Sequence, residues 1–207
     1  MTTRPAFLLL SSILTSVILA LSGCISQQVL SSFTDRDYSL NVHYDGTIED
    51  SLKAGKYNWT YFEISAKNFA SKESGTKQIQ AALVQLNTYT TAQGMVKEQA
   101  AAGLRPATLK ELLAFGETYP EVQAKIAIIG LGSFCDLTVE TMEMFNMNPM
   151  QTNSTNSTQM IMVRSVERLY PYLSQNMFGR SALLMESETV PEYHNPMLCG
   201  LFIKAES

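Results

Sequence analysis

Charge is scarce at the start of this 207-residue chain: Arg4 is the only ionic side chain before Asp35. Over the whole sequence charged residues reach only 16%, with a formal net charge of −4. Lysines and arginines are scattered rather than clustered, so the electrostatic footprint of a nucleic-acid binder is missing. No nucleic-acid partner is expected. Histidine is rarer still, with His43 and His194 alone. The chain holds no His-Glu-x-x-His and no Cys-x-x-Cys, which removes the common zinc signatures. It also lacks Gly-x-Ser-x-Gly, the strained turn that exposes the nucleophile of α/β-hydrolases. The one glycine-rich turn, Gly130-Leu131-Gly132-Ser133, has Cys135 where a dinucleotide fingerprint needs its third glycine. It reads as a tight exit from a buried strand. No catalytic residue, no metal ligand and no cofactor is therefore assigned. Disorder is excluded as well, because apolar residues make up 45% of the chain.

The stretch that is present in force is apolar. From 6 to 21 the chain is Leu, Ile, Val, Ala and Phe, broken only by Ser and Thr. With Arg4 ahead of it, this is a basic region followed by an apolar one, the pattern of an export signal. It is too short and too rich in serine to span a bilayer, which takes about 20 apolar residues. The run closes on Leu21-Ser22-Gly23-Cys24. These residues resemble the lipobox of bacterial lipoproteins: Leu, two small residues, then Cys. The resemblance implies a diacylglyceryl group on the Cys24 thiol, cleavage between Gly23 and Cys24, and acylation of the new amine. Cysteine suits the first step because a thiolate is a strong nucleophile. Each buried methylene contributes roughly 0.8 kcal/mol, so two or three acyl chains hold where one does not. The resemblance also implies a bacterial cell-envelope location, with the membrane as partner through the lipid on Cys24. Ile25 is not the Asp associated with inner-membrane retention, so the outer membrane is favoured in a diderm host.

The expected organisation follows: a signal peptide over 1–23, a polar tether over 24–36 and a globular domain over 37–207. Cutting after residue 23 of 207 leaves 184 residues, enough for one domain with a real core. Cys135 and Cys199 then remain. In an oxidising compartment they are candidates for a disulfide. It would close a loop of about 60 residues and stabilise by about 4 kcal/mol in the chain-entropy model. Two separate buried thiols are the alternative.

Period-two alternation predicts a strand over 38–44, with Tyr38, Leu40, Val42 and Tyr44 on one face. Thr47 as N-cap and Gly55 as stop predict a short helix over 48–54. The aromatic stretch 57–64 fits either a strand or a helix end. A strand over 77–88 carries Ile79, Ala81 and Leu83. Its apolar phase then moves to Val84 and Leu86, which suggests a bulge. Helix formers fill 91–102 before Gly103. Thr108 and Glu111 form a capping-box pattern at the head of a second helix, which Pro120 stops. The apolar run 126–131 reads as a central strand. Residues 146–159, rich in Met, Asn, Ser and Thr, are expected to form a mobile insert. Strands follow at 160–163, 181–185 and 197–203. The sum is an α+β single domain: a mostly antiparallel sheet with two or three helices. Within it, residues 104–133 resemble a stretch of uncharacterised bacterial proteins, a likeness that implies no activity.

Three functions from different classes fit these residues. The leading one is a lipid-anchored binding or structural module that holds an envelope protein partner. Its methionines Met142, Met144, Met147 and Met150 supply adaptable contact area. Their thioethers could also hold soft copper ions, but no His or Cys accompanies the run. The second is an envelope hydrolase with a dispersed site of Ser133, His43 or His194, and an acid. The third is a ligand-binding module with an aromatic pocket from Tyr57, Trp59, Tyr61 and Phe62.

Overall fold

Alternation drives the first element. In strand β1 (Asp37–His43) every second residue is buried. Tyr38, Leu40, Val42 and the following Tyr44 all lie within a few per cent of full burial, as the pattern predicts. The computed structural model describes residues 30–86, 91–146, 158–177, 179–186 and 198–205. The expected signal peptide with Cys24, and His194, fall outside them.

Helix α1 (Ile48–Ala54) starts at Thr47, whose Oγ1 accepts the Asp50 N–H, and ends at Gly55. Strand β2 (Trp59–Thr60) is all that becomes regular in the aromatic stretch. Next come β3 (Thr76–Gln85), helix α2 (Ala92–Ala101) and β4 (Leu104–Pro106). Helix α3 (Leu109–Thr118) is followed at once by the single turn α4 (Pro120–Gln123), with Pro120 opening the second. Strands β5 (Ala127–Ile129), β6 (Cys135–Asn146), β7 (Thr158–Asn176), β8 (Gly179–Glu186) and β9 (Leu198–Lys204) complete the chain.

The strands join one sheet in the order β1-β3-β9-β5-β7-β8-β2, with β4 on β9 and β6 on β7. Six pairings are antiparallel, and β5–β9 and β2–β8 are parallel. The protein is α+β with a single mostly antiparallel sheet, as the sequence predicts. Its helical content is split into more and shorter pieces than the two or three expected, including a turn at 30–34. Strand β9 is buried over its first six residues and β5 over all three. Central strands covered on both faces read as unbroken apolar runs.

Both faces are covered. Helices α1, α3 and α4 pack on one face through Ile48, Leu109, Leu112, Leu113, Phe115 and Val122. Helix α2 covers the other through Ala92 and Met95, against Leu86, Leu198 and Phe202. This arrangement explains the phase shift in β3. Its register with β9 runs without a break from Ala81↔Ile203 to Gln85↔Cys199, so there is no bulge. Val84 and Leu86 are apolar because the second face is buried there too. The core also reaches further back than expected. Leu30 and Phe33 are buried in it, so the domain begins no later than residue 30 rather than at 37.

Cysteine pairing does not occur in this structure: Cys135 and Cys199 are both free and buried. Cys199 lies opposite Ile128, Ile128 opposite Leu173, and Cys135 opposite Leu169. Four residues along the sheet and one strand across amount to roughly 14 Å between the two Cα atoms, about twice what a disulfide tolerates. Residues 147–157 of the expected insert lie outside the described residues. Its flanks are ordered into strand, since Asn146 pairs with Thr158.

Gly132 fixes the turn out of β5. Its N–H donates to Ala107 O at 2.9 Å, and a Cβ there would meet Pro106 O at 2.6 Å. Backbone cannot yield as a side chain does, so Gly132→Ala is expected to cost about 1–3 kcal/mol. A lowered urea midpoint at unchanged slope is the check.

Candidate binding surface

Burial of a carboxylate organises the head of α3. The Glu111 side chain is fully buried. Tyr44 Oη donates to its Oε1 at 2.6 Å. Arg105 donates through both terminal nitrogens, at 2.9 and 2.6 Å, and the Thr108 N–H donates at 2.7 Å. The last bond is half of the expected capping box. Thr108 Oγ1 makes no cap bond and is buried without a partner. Burial alone would raise the Glu111 pKa; the bonds from Arg105, Tyr44 and Thr108 outweigh it and hold the carboxyl below its usual range. Desolvation, reinforced by the carboxylate, pushes the Tyr44 phenol up.

Lys110 beside it is buried as well. Its ammonium donates to Tyr44 O at 3.0 Å and to the carbonyls of His43 and Gly46, and desolvation lowers its pKa. Nine residues on, Tyr119 Oη accepts the Ser39 N–H and donates to Ser39 O. Helix α3 and the residue that ends it thereby cover the outer edge of β1, which as an end strand would otherwise present unpaired backbone.

Ser133 belongs to the same helix head. Its Oγ accepts the Leu109 N–H at 3.0 Å, because the Gly132 contact holds this loop against 106–107. A cleft of ≈ 290 Å³ opens here, between Phe69, Lys72, Thr108, Lys110 and Ser133. His43 points elsewhere: its Nδ1 pairs with Thr76 Oγ1 at 2.8 Å on an exposed strand end. The structure thus gives Ser133 a capping partner and His43 a cross-strand partner, and does not join them to each other. Among the described residues no group of His, Cys, Asp and Glu could hold a metal.

The aromatic stretch does not close a pocket. Tyr57 is drawn into the protein, under the guanidinium of Arg180, 5.2 Å from its ring centre. Arg180 itself donates to Gly55 O, Gly116 O and Gln123 Oε1, so it joins the ends of α1 and α3 to α4. Trp59 and Phe62 remain outside, 46% and 78% exposed, with Tyr61 between them.

Strands β6 and β7 form a long ribbon. The two strands pair without interruption from Cys135↔Leu169 to Asn146↔Thr158. Strand β8 joins β7 only from Leu169 onward. Beyond that point the ribbon stands as two strands, with both outer edges unpaired among the described residues. Of the six large apolar side chains exposed among the described residues, Val166 and Met162 lie on one of its faces and Phe134 at its root. Cross-strand ion pairs separate them. Arg168 holds Asp136 at 2.9 Å and stacks 3.9 Å over Phe134, and Arg164 holds Glu140 at 2.7 Å. A ribbon with open edges and a mixed apolar and ion-paired face can add a strand from a partner or seat an apolar side chain.

The ribbon is longer than the sequence suggested, where only 160–163 stood out. In 137–145 the apolar phase passes from Leu137 and Val139 to Met142 and Met144, and glutamate, here Glu140 and Glu143, is depleted in strands, so no single alternation marks the strand. Pro171 argues against a central strand. It is tolerated because it sits where β7 passes from β5 to β6, and its carbonyl accepts the Gly130 N–H.

No family model, no curated protein and no solved structure matches this chain.

Two measurements probe this geometry. Burial raises the Cys135 pKa and pushes Cys199 up to about 12. Both thiols should resist Ellman's reagent in the native state and react once the chain is denatured without reductant; none reacting then would mean a disulfide. For Glu111 the folded pKa lies below the unfolded value of about 4.3. Its stabilisation is therefore complete above that value and disappears as pH falls through the folded one. Glu111→Gln should cost about 3 kcal/mol at pH 7 and lose less than wild type between pH 5 and pH 2 in urea titrations.

Proposed function

We propose that this protein is a lipid-anchored lipoprotein of the bacterial cell envelope, a binding or structural module that presents its β6–β7 ribbon to an envelope protein partner. The membrane is reached through the lipid on Cys24, and in a diderm host the outer membrane is the favoured site. The anchor rests on the residues Leu21-Ser22-Gly23-Cys24 and the apolar run before them. The single structural observation that supports binding is the ribbon. It carries the exposed side chains of Val166 and Met162, with Phe134 at its root, and backbone edges that are unpaired among the described residues.

The domain boundary is consistent with a surface held close to the bilayer. Among the described residues the core already includes Leu30, six residues after Cys24, a reach of at most ~22 Å of extended chain. The competing reading is an envelope hydrolase built from Ser133, a histidine and an acid. It is less well supported, because Ser133 Oγ is engaged by Leu109 and His43 by Thr76.

Intact mass of the native protein, beside that of Cys24→Ala, tests the anchor. The expected mass is that of 24–207 plus acyl chains, and the variant should lose them. A full-length, unacylated mass in a host that processes lipoproteins would overturn it. A photo-crosslinker at position 166 tests the surface. Adducts to one envelope protein, absent with the crosslinker at exposed Lys56, are expected; equal labelling at both positions would count against the ribbon.

A further inference from the structure

The pairings fix which strand ends lie together. Strands β1, β9, β5, β8 and β2 run one way, and β3 and β7 run the other. The start of β2, the β7–β8 connection and the turn at 30–34 that leads into β1 therefore share one end of the sheet. Contacts link them further. The Lys125 ammonium sits 5.7 Å from the centre of the Phe33 ring. A cleft of ≈ 310 Å³ is lined by Lys125 together with Ser174, Gln175 and Asn176. Asn176 pairs with Gly179, and the Arg180 N–H donates to Asn58 Oδ1 at 3.0 Å. Those bonds bring Trp59 beside the hairpin tip.

This end is apolar where it is exposed. Met177, in the connection between Asn176 and Gly179, is 91% exposed, and Trp59 is 46% exposed. Two-residue hairpin connections ordinarily carry Asn, Asp or Gly, so a methionine there is not turn chemistry. Charge is missing around the pair. From Leu169 to Met185 the only ionic side chain is Arg180, and from Tyr57 to Phe62 there is none. Arg180 turns inward to Gly55 O, Gly116 O and Gln123 Oε1. An end strand that faces water is ordinarily blunted with charge; β2, an end strand, has none. A bilayer interface favours this pattern, because tryptophan settles at headgroup level and an apolar neighbour enters the acyl boundary.

We infer that this end of the sheet is a membrane-contact surface, with Met177 and Trp59 entering the lipid bilayer on which the chain is anchored. The inference rests on the anchor at Cys24 proposed above. The chain outside the domain argues for lipid as the occupant. Leu30 lies at this end, six residues after Cys24, and that length reaches at most ~22 Å. From β5, which Lys125 precedes, to β2 is three strand spacings, about 14 Å. An acylated Cys24 thus holds Met177 and Trp59 within range of the bilayer. A short tether supplies an effective concentration of about 1 mM, enough to occupy a contact too weak to form alone. Charges of both signs stand at this end, Arg36 and Lys125 beside Asp35 and Glu121. Insertion of apolar side chains, rather than attraction to anionic headgroups, is therefore the driving term. The ribbon leaves the other way: along β7, Val166 lies about 36 Å from Met177.

Trp59 is the only tryptophan of the chain, so its fluorescence reads the contact directly. The protein from a lipoprotein-processing host would be reconstituted into phosphatidylcholine vesicles with bromine on the upper acyl carbons. Flotation reports the anchor, and quenching of Trp59 reports the surface. Co-flotation with a blue shift and a strong loss of Trp59 emission is expected. Met177→Ser should lower the ratio of docked to undocked domain roughly tenfold at unchanged flotation, restoring emission. Exchanging part of the lipid for phosphatidylglycerol should change neither readout. The double variant Trp59→Phe, Val166→Trp should float with its emission unquenched. Co-flotation with Trp59 unquenched, or equal quenching at positions 59 and 166, would overturn the surface and leave the anchor standing. Failure to float would overturn the anchor and this inference with it.

Discussion

Everything at the centre of this fold depends on keeping one carboxylate charged where no water reaches it. Isolated, an ionised glutamate costs several kcal/mol to bury. Here the cost is offset by four donors from three places: Tyr44 after β1, Arg105 on β4 and the Thr108 N–H. Because those donors come from separate segments, the carboxylate dictates how they assemble. Helix α3 cannot shift along β1 without breaking the Tyr44 bond, and β4 cannot leave β9 without removing the charge partner. The first-turn position of Glu111 adds the favourable field of the helix N-terminus. Lys110, one residue earlier, does the complementary work with cationic charge, satisfying three carbonyls between β1 and α1.

A second polar hub does for the far side of the helical layer what Glu111 does for the near side. Arg180 projects from β8 and donates to carbonyls at the ends of α1 and α3, while Gln123 bridges it to Ser174 and Ser181. The two hubs leave the sheet's middle apolar and its ends polar. Strands β5 and β9 run through the middle, buried on both faces. The ribbon leaves from the edge of this rigid block, anchored by the three-strand overlap around Leu169. A two-stranded hairpin is marginal alone. Rooted in a nine-stranded sheet, it can project a surface that the rest of the domain does not have to stabilise.

Local features were legible. Thr47, Thr91 and Gly103 mark their helix ends because caps act on backbone groups a few residues away. The alternation of β1 and the apolar run of β5 report burial of one face and of both. Other features hid for physical reasons. The apolar residues Val84 and Leu86 looked like a slip of phase because the covering helix α2 is formed from later sequence. Ser133 looked like a nucleophile candidate, and its capping role follows only from the approach of Gly132 to Ala107. The aromatic stretch looked like a pocket, yet Tyr57 goes inward to Arg180 across more than a hundred residues while Trp59 and Phe62 stay outside. The cysteines looked able to pair, and register separates them.

Sequence by itself determined the α+β class, the caps, the apolar faces and the motif that motivates the anchor at Cys24, since each is encoded in contiguous residues whose spacing matches a helical or extended repeat. Tertiary structure decided which polar groups are buried and with whom, that both faces of the sheet are covered, and that Met160 and Met162 lie across from Met142 and Met144. Those are contacts between segments far apart in the chain. Their selection rests on register and on the need to satisfy every buried donor and acceptor, neither of which any single stretch of sequence contains.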